Sequence, residues 1–262
     1  MVIRFSKYHG AGNDFIMIDG LTAEISAGGL PVADLCNRHT GIGADGLIVL
    51  MPSTTVDFRM VYFNSDGLQA TMCGNGGRTA AAFASRLGLN KSLVRFEASD
   101  GLHEALITMA GVHRYQIRLS MTDVRGMRSE PEGLLLNTGV PHLVVFSQGV
   151  TSLDVTTVGG HLRNLPKFQP EGTNVNFVEI IEEGLLVRTY ERGVEDETLS
   201  CGTGITASVL AHAMRTGTTR GETNVFCRGG NLSVSFRREG DYFTDVMLFG
   251  PAVHVFDGTF EI

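Results

Sequence analysis

Two cysteines in this chain stand in nearly the same setting, Cys73-Gly74-Asn75-Gly76 and Cys201-Gly202-Thr203-Gly204, 128 residues apart. In both, small residues follow, as at the start of a helix. The first-turn N–H groups of a helix have no intrahelical partner, and with the helix dipole they favour an anion. A thiolate there has a pKa below the free value of about 8.5. The same amides can hold a carboxylate, and the glycines let the backbone come close to it. Inverting an α-carbon without a cofactor needs a base on one face and an acid on the other, with the roles exchanged in the reverse direction. Thiol and thiolate suit that exchange near neutral pH, because one chemical type serves in either state. Amides aimed at the carboxylate would stabilise the charge on the planar intermediate. On residues alone, a redox disulfide or simple packing also remains open for this pair. Cys36 and Cys227 have no duplicated context and read as small buried hydrophobes.

The elements that must position these cysteines repeat. In the first half, Val2–Phe5, Phe15–Ile18, Leu47–Met51 and Asp57–Phe63 read as strands, and Gly76–Leu87 as an Ala-rich helix. Strands near Val94–Ala98, Glu104–Met109 and Arg114–Leu119 follow. In the second half the strands are Leu134–Leu136, Leu143–Phe146, Phe177–Ile181 and Leu185–Tyr190, then a helix over Thr203–Met214. Strands near Val225–Arg228, Leu232–Arg237 and Thr244–Phe249 close the chain. Phe15 and Leu143 each lie 58 residues before their cysteine, and Asn64 and Arg192 each lie nine before. One Cys-Gly-x-Gly string would be weak, but two in matched strand–turn–helix contexts predict two homologous halves, with a cleft between them and a cysteine on each wall. The boundaries expected are 1–118 for the half carrying Cys73, completed by 253–262, and 119–252 for the half carrying Cys201.

Composition narrows the function classes. The chain has 262 residues, 43% hydrophobic and 19% charged, enough to bury a sizeable core. Its 33 glycines exceed the typical share of about 7% and imply tight turns or close backbone approaches. Net charge is −7 and basic residues are scattered, so no nucleic-acid footprint is visible. No apolar run reaches the roughly 18–20 residues of a membrane span, and the first residues lack the apolar core of a signal peptide. A cytoplasmic location without membrane partners is the expectation. The four cysteines form no CxxC pair, which argues against a structural metal site or a disulfide framework.

Several strings then carry a likeness over essentially the whole chain: HGAGNDF (His9 to Phe15), GIGADG (Gly41 to Gly46), FNSDG (Phe63 to Gly67), MCGNGGR (Met72 to Arg78), GTNVNF (Gly172 to Phe177), YERG (Tyr190 to Gly193), CGTG (Cys201 to Gly204) and GPAVHVF (Gly250 to Phe256). In this order they resemble the diaminopimelate epimerase family. The resemblance implies an α/β (α+β) fold of two pseudo-symmetric halves, each a curled, mostly antiparallel sheet around a central helix. It implies interconversion of LL-2,6-diaminoheptanedioate and the meso form, a step of lysine and peptidoglycan precursor synthesis, by a homodimer needing neither pyridoxal phosphate nor metal. Cys73 and Cys201 become base and acid, with Gly74, Asn75, Gly202 and Thr203 holding the reacting carboxylate. Asn13, Asn64, Asn174, Glu191 and Arg192 would hold the amino groups and the distal carboxylate, and His142 and Glu191 would tune the thiols.

Two positions depart from the commonest family pattern. Gly46 stands where many members have Gln, and Val140 stands where many have Asn before the Pro-His pair. Val cannot replace a carboxamide hydrogen bond, so a water or another side chain such as Asn137 would have to compensate, or the site is weaker. Competing readings are a proline or hydroxyproline epimerase of the same superfamily, which would have no use for Arg192, and a redox or carboxylate-binding module. An Arg suits a substrate with a second carboxylate, which rewards a bidentate guanidinium.

Overall fold

The run Phe15-Ile16-Met17-Ile18 is wholly buried although it belongs to a sheet. Continuous burial of this kind marks a strand covered on both faces, and helices supply the two covers. The computed structural model describes residues 1–23, 25–89 and 91–262. The chain divides into two compact units, Met1–Leu119 with Gly250–Ile262, and Ser120–Phe249.

The first unit runs β1 (Val2–Gly10), β2 (Asn13–Asp19), α1 (Val32–Cys36), β3 (Gly46–Met51), β4 (Phe58–Asn64), α2 (Gly74–Arg86), β5 (Leu93–Ala98), β6 (Gly101–Gly111) and β7 (Arg114–Ser120). The second runs β8 (Arg128–Glu130), β9 (Gly133–Asn137), β10 (Pro141–Phe146), α3 (Val155–Arg163), β11 (Asn174–Ile181), β12 (Gly184–Glu191), β13 (Asp196–Thr198), α4 (Gly202–Thr216), β14 (Arg220–Cys227), β15 (Gly230–Glu239) and the start of β16 (Tyr242–Glu261). The later part of β16 returns to the first unit.

Strand pairing is the same in both units. β2–β3 and β10–β11 are parallel, as are β4–β5 and β12–β14, and the other pairs are antiparallel. Each parallel pair needs a crossover, and each crossover contains a helix. α2 packs against β1, β2, β3, β4 and β6, and α4 against β9 to β12, β14 and β15. The two-halved α/β architecture expected from the sequence is therefore the one observed. The units differ in closure. In the first, β16 pairs with β7 through Gly250–Val253 and with β1 through Val253–Glu261, so the strands form a closed ring without an edge. In the second, β8 is an edge.

The outer helices α1 and α3 have no counterpart in the sequence reading. α1 has only five residues, too few for a helical period to show. α3 begins Val155-Thr156-Thr157-Val158-Gly159-Gly160, β-branched and glycine residues of poor helix propensity. Two contacts hold it. The Asp154 carboxylate caps it by accepting from the Thr157 N–H at 3.1 Å, and Gly159 lies so close to β12 that an added Cβ would sit 2.4 Å from Tyr190 Cβ.

Burial also corrects the repeat by one residue. Ile16, Ile18, Leu47 and Val49 pack with Val32 and Leu35 of α1, while Leu143, Val175 and Phe177 pack with Val155 in the α3 layer. Phe15 pairs with Tyr8 and Gly46, and Gly46 with Asn64. His142 pairs with Leu136 and Asn174, and Asn174, one step beyond the Val175–Tyr190 pair, faces Glu191. Phe15 thus corresponds to His142 rather than Leu143, and Asn64 to Glu191 rather than Arg192. The loop before α4 is one residue longer than the loop before α2, which shifts any count back from the cysteines. A one-residue slip in a strand turns every side chain to the opposite face. Each fully buried Ile or Leu contributes about 1.5–3 kcal/mol, so burial decides the correspondence.

The first turn of α4 meets β11 without room for a methyl group: a Cβ on Gly204 would lie 2.2 Å from Asn176 Oδ1. Gly204→Ala is expected to lower stability by about 1–3 kcal/mol in urea unfolding, the cost of overpacking. Gly221→Ala, where the nearest atom would be 3.9 Å away, should change it by less than about 0.5 kcal/mol.

Candidate active site

Cys73 is the residue immediately before α2, in extended conformation with φ −112° and ψ 124°, and its side chain makes no capping hydrogen bond. A Ser or Asp at that place would occupy a first-turn N–H with its own oxygen; the thiol leaves that role unfilled. Its sulfur lies 3.6 Å from Asn13 Oδ1 at the start of β2. Asn75 Nδ2 donates to the same oxygen at 3.4 Å. Asn13 Nδ2 donates to Asp45 Oδ2 at 2.7 Å, and Arg78 Nη2 donates to Asn75 Oδ1 at 2.8 Å. Arg78 is fully buried, and its Nη1 also donates to Gly74 O at 3.3 Å. Arg38 binds Asp14 through two nitrogens at 2.7 and 3.1 Å and reaches Asp45 Oδ1 at 2.7 Å. Lys7 completes the cluster with an ion pair to Asp14 at 2.8 Å and a hydrogen bond to Gly43 O. Burial opposes ionisation of Asp14, but the hydrogen bonds from Arg38 and Lys7 outweigh it and hold the carboxyl down at about 2. Asn64, the last residue of β4, is exposed and stands opposite Gly46, next to Asp45.

In the second unit Cys201 repeats the arrangement before α4, with φ −118°, ψ 109° and no capping bond from its side chain. Its sulfur is 3.4 Å from Thr203 Oγ1. Thr138 Oγ1 donates to Thr203 O at 3.0 Å and ties the β9–β10 hairpin to the helix start. His142 is completely buried beside Gly204. Thr189 Oγ1 donates to Asn176 Oδ1 at 3.0 Å, which leaves Asn176 Nδ2 to donate to His142 Nδ1, also at 3.0 Å. The imidazole proton therefore sits on Nε2, which has no hydrogen-bond partner among the described residues. Burial, with a smaller contribution from the charge of Arg192, pushes the His142 pKa down to about 3, so the ring is neutral.

Asn174, at the head of β11, donates from Nδ2 to Pro141 O at 3.0 Å and accepts from the Arg192 backbone N–H at 2.9 Å. The Arg192 guanidinium donates to Glu171 O at 3.2 Å. The Glu191 carboxylate accepts from Thr198 Oγ1 at 2.8 Å. Within each unit, then, the residues singled out in the sequence gather at the start of the central helix. Asn13, Gly74 and Asn75 lie beside Cys73, and Asn64 stands across the sheet end opposite Gly46. His142, Asn174, Glu191, Arg192, Gly202 and Thr203 lie at the corresponding end in the unit of Cys201.

The sequence reading passed over Asp45, Arg38, Arg78, Thr138 and Asn176. Arg78 carried a usable signal, because a cation among the alanines of a buried helix must be paired inside. The two family departures also find their places. Gly10 pairs with Asn13, and Thr138 N–H donates to Val140 O at 3.2 Å, so Val140 occupies the strand position that Asn13 has in the first unit. Asn137 does not simply substitute there, since its Oδ1 accepts from Gly139 N–H at 2.9 Å and closes the turn. Gly46 is required by close packing: a Cβ would lie 2.5 Å from Phe63 O and 2.6 Å from Tyr62 Cε2. Among the described residues no group of three or more His, Cys, Asp and Glu converges as metal ligands would. No helix among them is long and apolar enough to cross a membrane.

This arrangement has relatives. The family model for diaminopimelate epimerase matches residues 5–125 and 134–255, one stretch for each half of the repeat. The chain is 44% identical over 259 residues to a diaminopimelate epimerase of Flavobacterium psychrophilum, covering 98% of this chain and 100% of the relative. It is 41% identical to that of Chlorobaculum tepidum, covering 97% and 99%. Among solved structures, a phenazine biosynthesis protein of the PhzF family from Bacillus anthracis superposes with a TM-score of 0.78 over 100% of both chains at 15% identity, a likeness of fold. Family model and full-length relatives agree, and the chain belongs to the diaminopimelate epimerase family.

Proposed function

We propose that the protein interconverts LL-2,6-diaminoheptanedioate and its meso form by two-base proton transfer, with Cys73 and Cys201 as the pair. The observation that carries this reading is the duplicated one: in each half a cysteine stands where a capping residue would, at the first turn of the buried central helix. One sulfur, as thiolate, takes the α-proton. The electron pair of the broken C–H bond delocalises into the carboxylate, and the other sulfur, as thiol, supplies a proton to the opposite face. Gly74, Asn75, Gly202 and Thr203 hold the reacting carboxylate with helix-start amides, which become more valuable as charge develops. Asn13, Asn64, Asn174, Glu191 and Arg192 hold the amino groups and the distal carboxylate. The neutral His142, together with Glu191, tunes the thiols. A homodimer in the cytoplasm, acting without pyridoxal phosphate, completes the reading on the strength of the family resemblance.

Reduced protein in deuterium oxide, without added cofactor, should incorporate deuterium at the α-carbon of LL-diaminopimelate and not of L-proline, as followed by mass spectrometry. Cys73→Ala and Cys201→Ala should each lower turnover by at least about 100-fold, the lower range for loss of a general acid or base, with an unchanged circular dichroism spectrum. Exchange with proline alone would reassign the substrate, and undiminished turnover in either variant would remove the two-base mechanism. Arg192→Lys should raise KM for diaminopimelate about tenfold, the scale of a lost bidentate contact, while changing kcat less.

The buried His142 also predicts a pH dependence of stability. Its folded pKa lies below the unfolded value of about 6.5, so its contribution is complete above pH 7 and is lost as the unfolded chain takes up the proton on acidification. Between pH 7 and 5 this single group accounts for about 2 kcal/mol of lost stability. Urea unfolding of His142→Gln at the two pH values should show a correspondingly smaller difference than the wild type. An identical pH difference in both proteins would mean that the ring titrates in the folded state.

A further inference from the structure

The two carboxamides beside Cys73 do not choose their own orientation. Asp45 is an acceptor from Arg38 at 2.7 Å and from the Asp14 backbone N–H at 3.2 Å, so the Asn13 group that faces its Oδ2 must be the NH2. At the other end Arg78 can only donate, so the Asn75 atom it meets must be the oxygen. Asn75 then has its NH2 left for Asn13, and Asn13 has its oxygen left for both Asn75 and Cys73. A buried cation at one end and an anion at the other thus set the polarity of the whole chain of hydrogen bonds.

We propose that Asp45 and Arg78 are positioning residues for Cys73: they pin the Asn13 carbonyl oxygen against the sulfur and so keep Cys73 as the thiol, the proton-donating member of the pair, until a ligand enters. An amide oxygen accepts from S–H but turns a lone pair toward a thiolate, and it works against the helix start, which favours the anion. The second unit has no such constraint in the same strand position, where Val140 stands. A polar neighbour of Cys201 is the Thr203 hydroxyl, which rotates to donate or to accept and suits either state of sulfur. Among the described residues the charged groups around this network are Lys7, Asp14, Arg38, Asp45 and Arg78, with the titratable His9 and Cys36 also facing Asp14, and the test must separate charge from steering. The proposal rests on the two-base reading only for the role of the thiol as donor; its readout is chemical and needs no turnover.

The experiment is the pH profile of Cys73 carbamidomethylation by iodoacetamide, followed in the Cys73 peptide by mass spectrometry, for the full-length wild type and variants. Asp45→Asn lets the Asn13 amide turn over, so the Cys73 profile should move to lower pH by about half to one unit. The rate at neutral pH should rise about three- to tenfold, the scale of one hydrogen bond. Asp14→Asn removes a neighbouring carboxylate charge but keeps an oxygen to accept from the Asp45 backbone N–H, so the carboxamide stays held and the profile should move distinctly less. Asn13→Leu, which deletes the acceptor and leaves every charge in place, should reproduce the shift of Asp45→Asn even if that variant folds poorly. An unmoved profile in Asn13→Leu, or an equal shift in Asp14→Asn and Asp45→Asn, would overturn the proposal. If these profiles behave as expected while diaminopimelate shows no exchange, the positioning stands and the substrate reading falls.

Discussion

Both halves are built around a helix that begins inside its sheet with a cysteine, not an oxygen-bearing side chain, at its capping position. A helix start left in that condition carries unsatisfied donors and partial positive charge, and elsewhere in proteins a Ser, Thr, Asp or Asn relieves it. Cys73 and Cys201 occupy the capping position with extended backbone yet make no capping bond. The anion-favouring end is thereby available to sulfur and to a carboxylate. The surrounding strands hold that end in place: α2 and α4 are packed on several strands each.

Around these two starts the side-chain amides take their direction from buried charge or fixed donors. Arg78 and Asp45 settle Asn75 and Asn13. The Thr189 hydroxyl, which donates to Asn176, settles which end of that amide meets His142 and hence which ring nitrogen carries the proton. A carboxamide that could turn over would present a donor or an acceptor with nearly equal ease, and a site that handles protons by hydrogen-bond polarity would lose its definition. In the ionic cluster, Lys7 and Asp14 are largely buried and costly to desolvate, while Arg38 covers them from the exposed side. The cluster's place in the site is to brace the loop that carries Asp45.

The repeat has kept its backbone and exchanged its chemistry. The same strand positions hold Phe15 and His142, Gly46 and Asn174, Asn64 and Glu191, Asn13 and Val140. Each cysteine therefore has different polar neighbours within its own unit, Asn13 beside Cys73 and Thr203 beside Cys201. Each exchange is local, because a strand face tolerates a new side chain where packing leaves room. Gly46 and Gly204 mark where it does not.

The sequence by itself determined the two halves, the central helices, most strands and the two cysteines, because these rest on local patterns: period-two runs, Ala-rich helix segments and a duplicated glycine string. It did not determine α1 and α3, whose short or β-branched segments are helical only because a parallel crossover and contacts such as Gly159 against Tyr190 hold them. Nor did it determine the correspondence of the halves to the residue, since a loop longer by one shifts any count while burial shows which face each strand presents. Asp45, Arg38 and Arg78 sat within or near the strings that carried the resemblance, but their role depends on hydrogen-bond polarity through Asn13 and Asn75. Polarity of that kind is a property of atoms brought together from β2, the loop before β3 and the start of α2, and only the tertiary structure places successive partners within 2.7–3.6 Å.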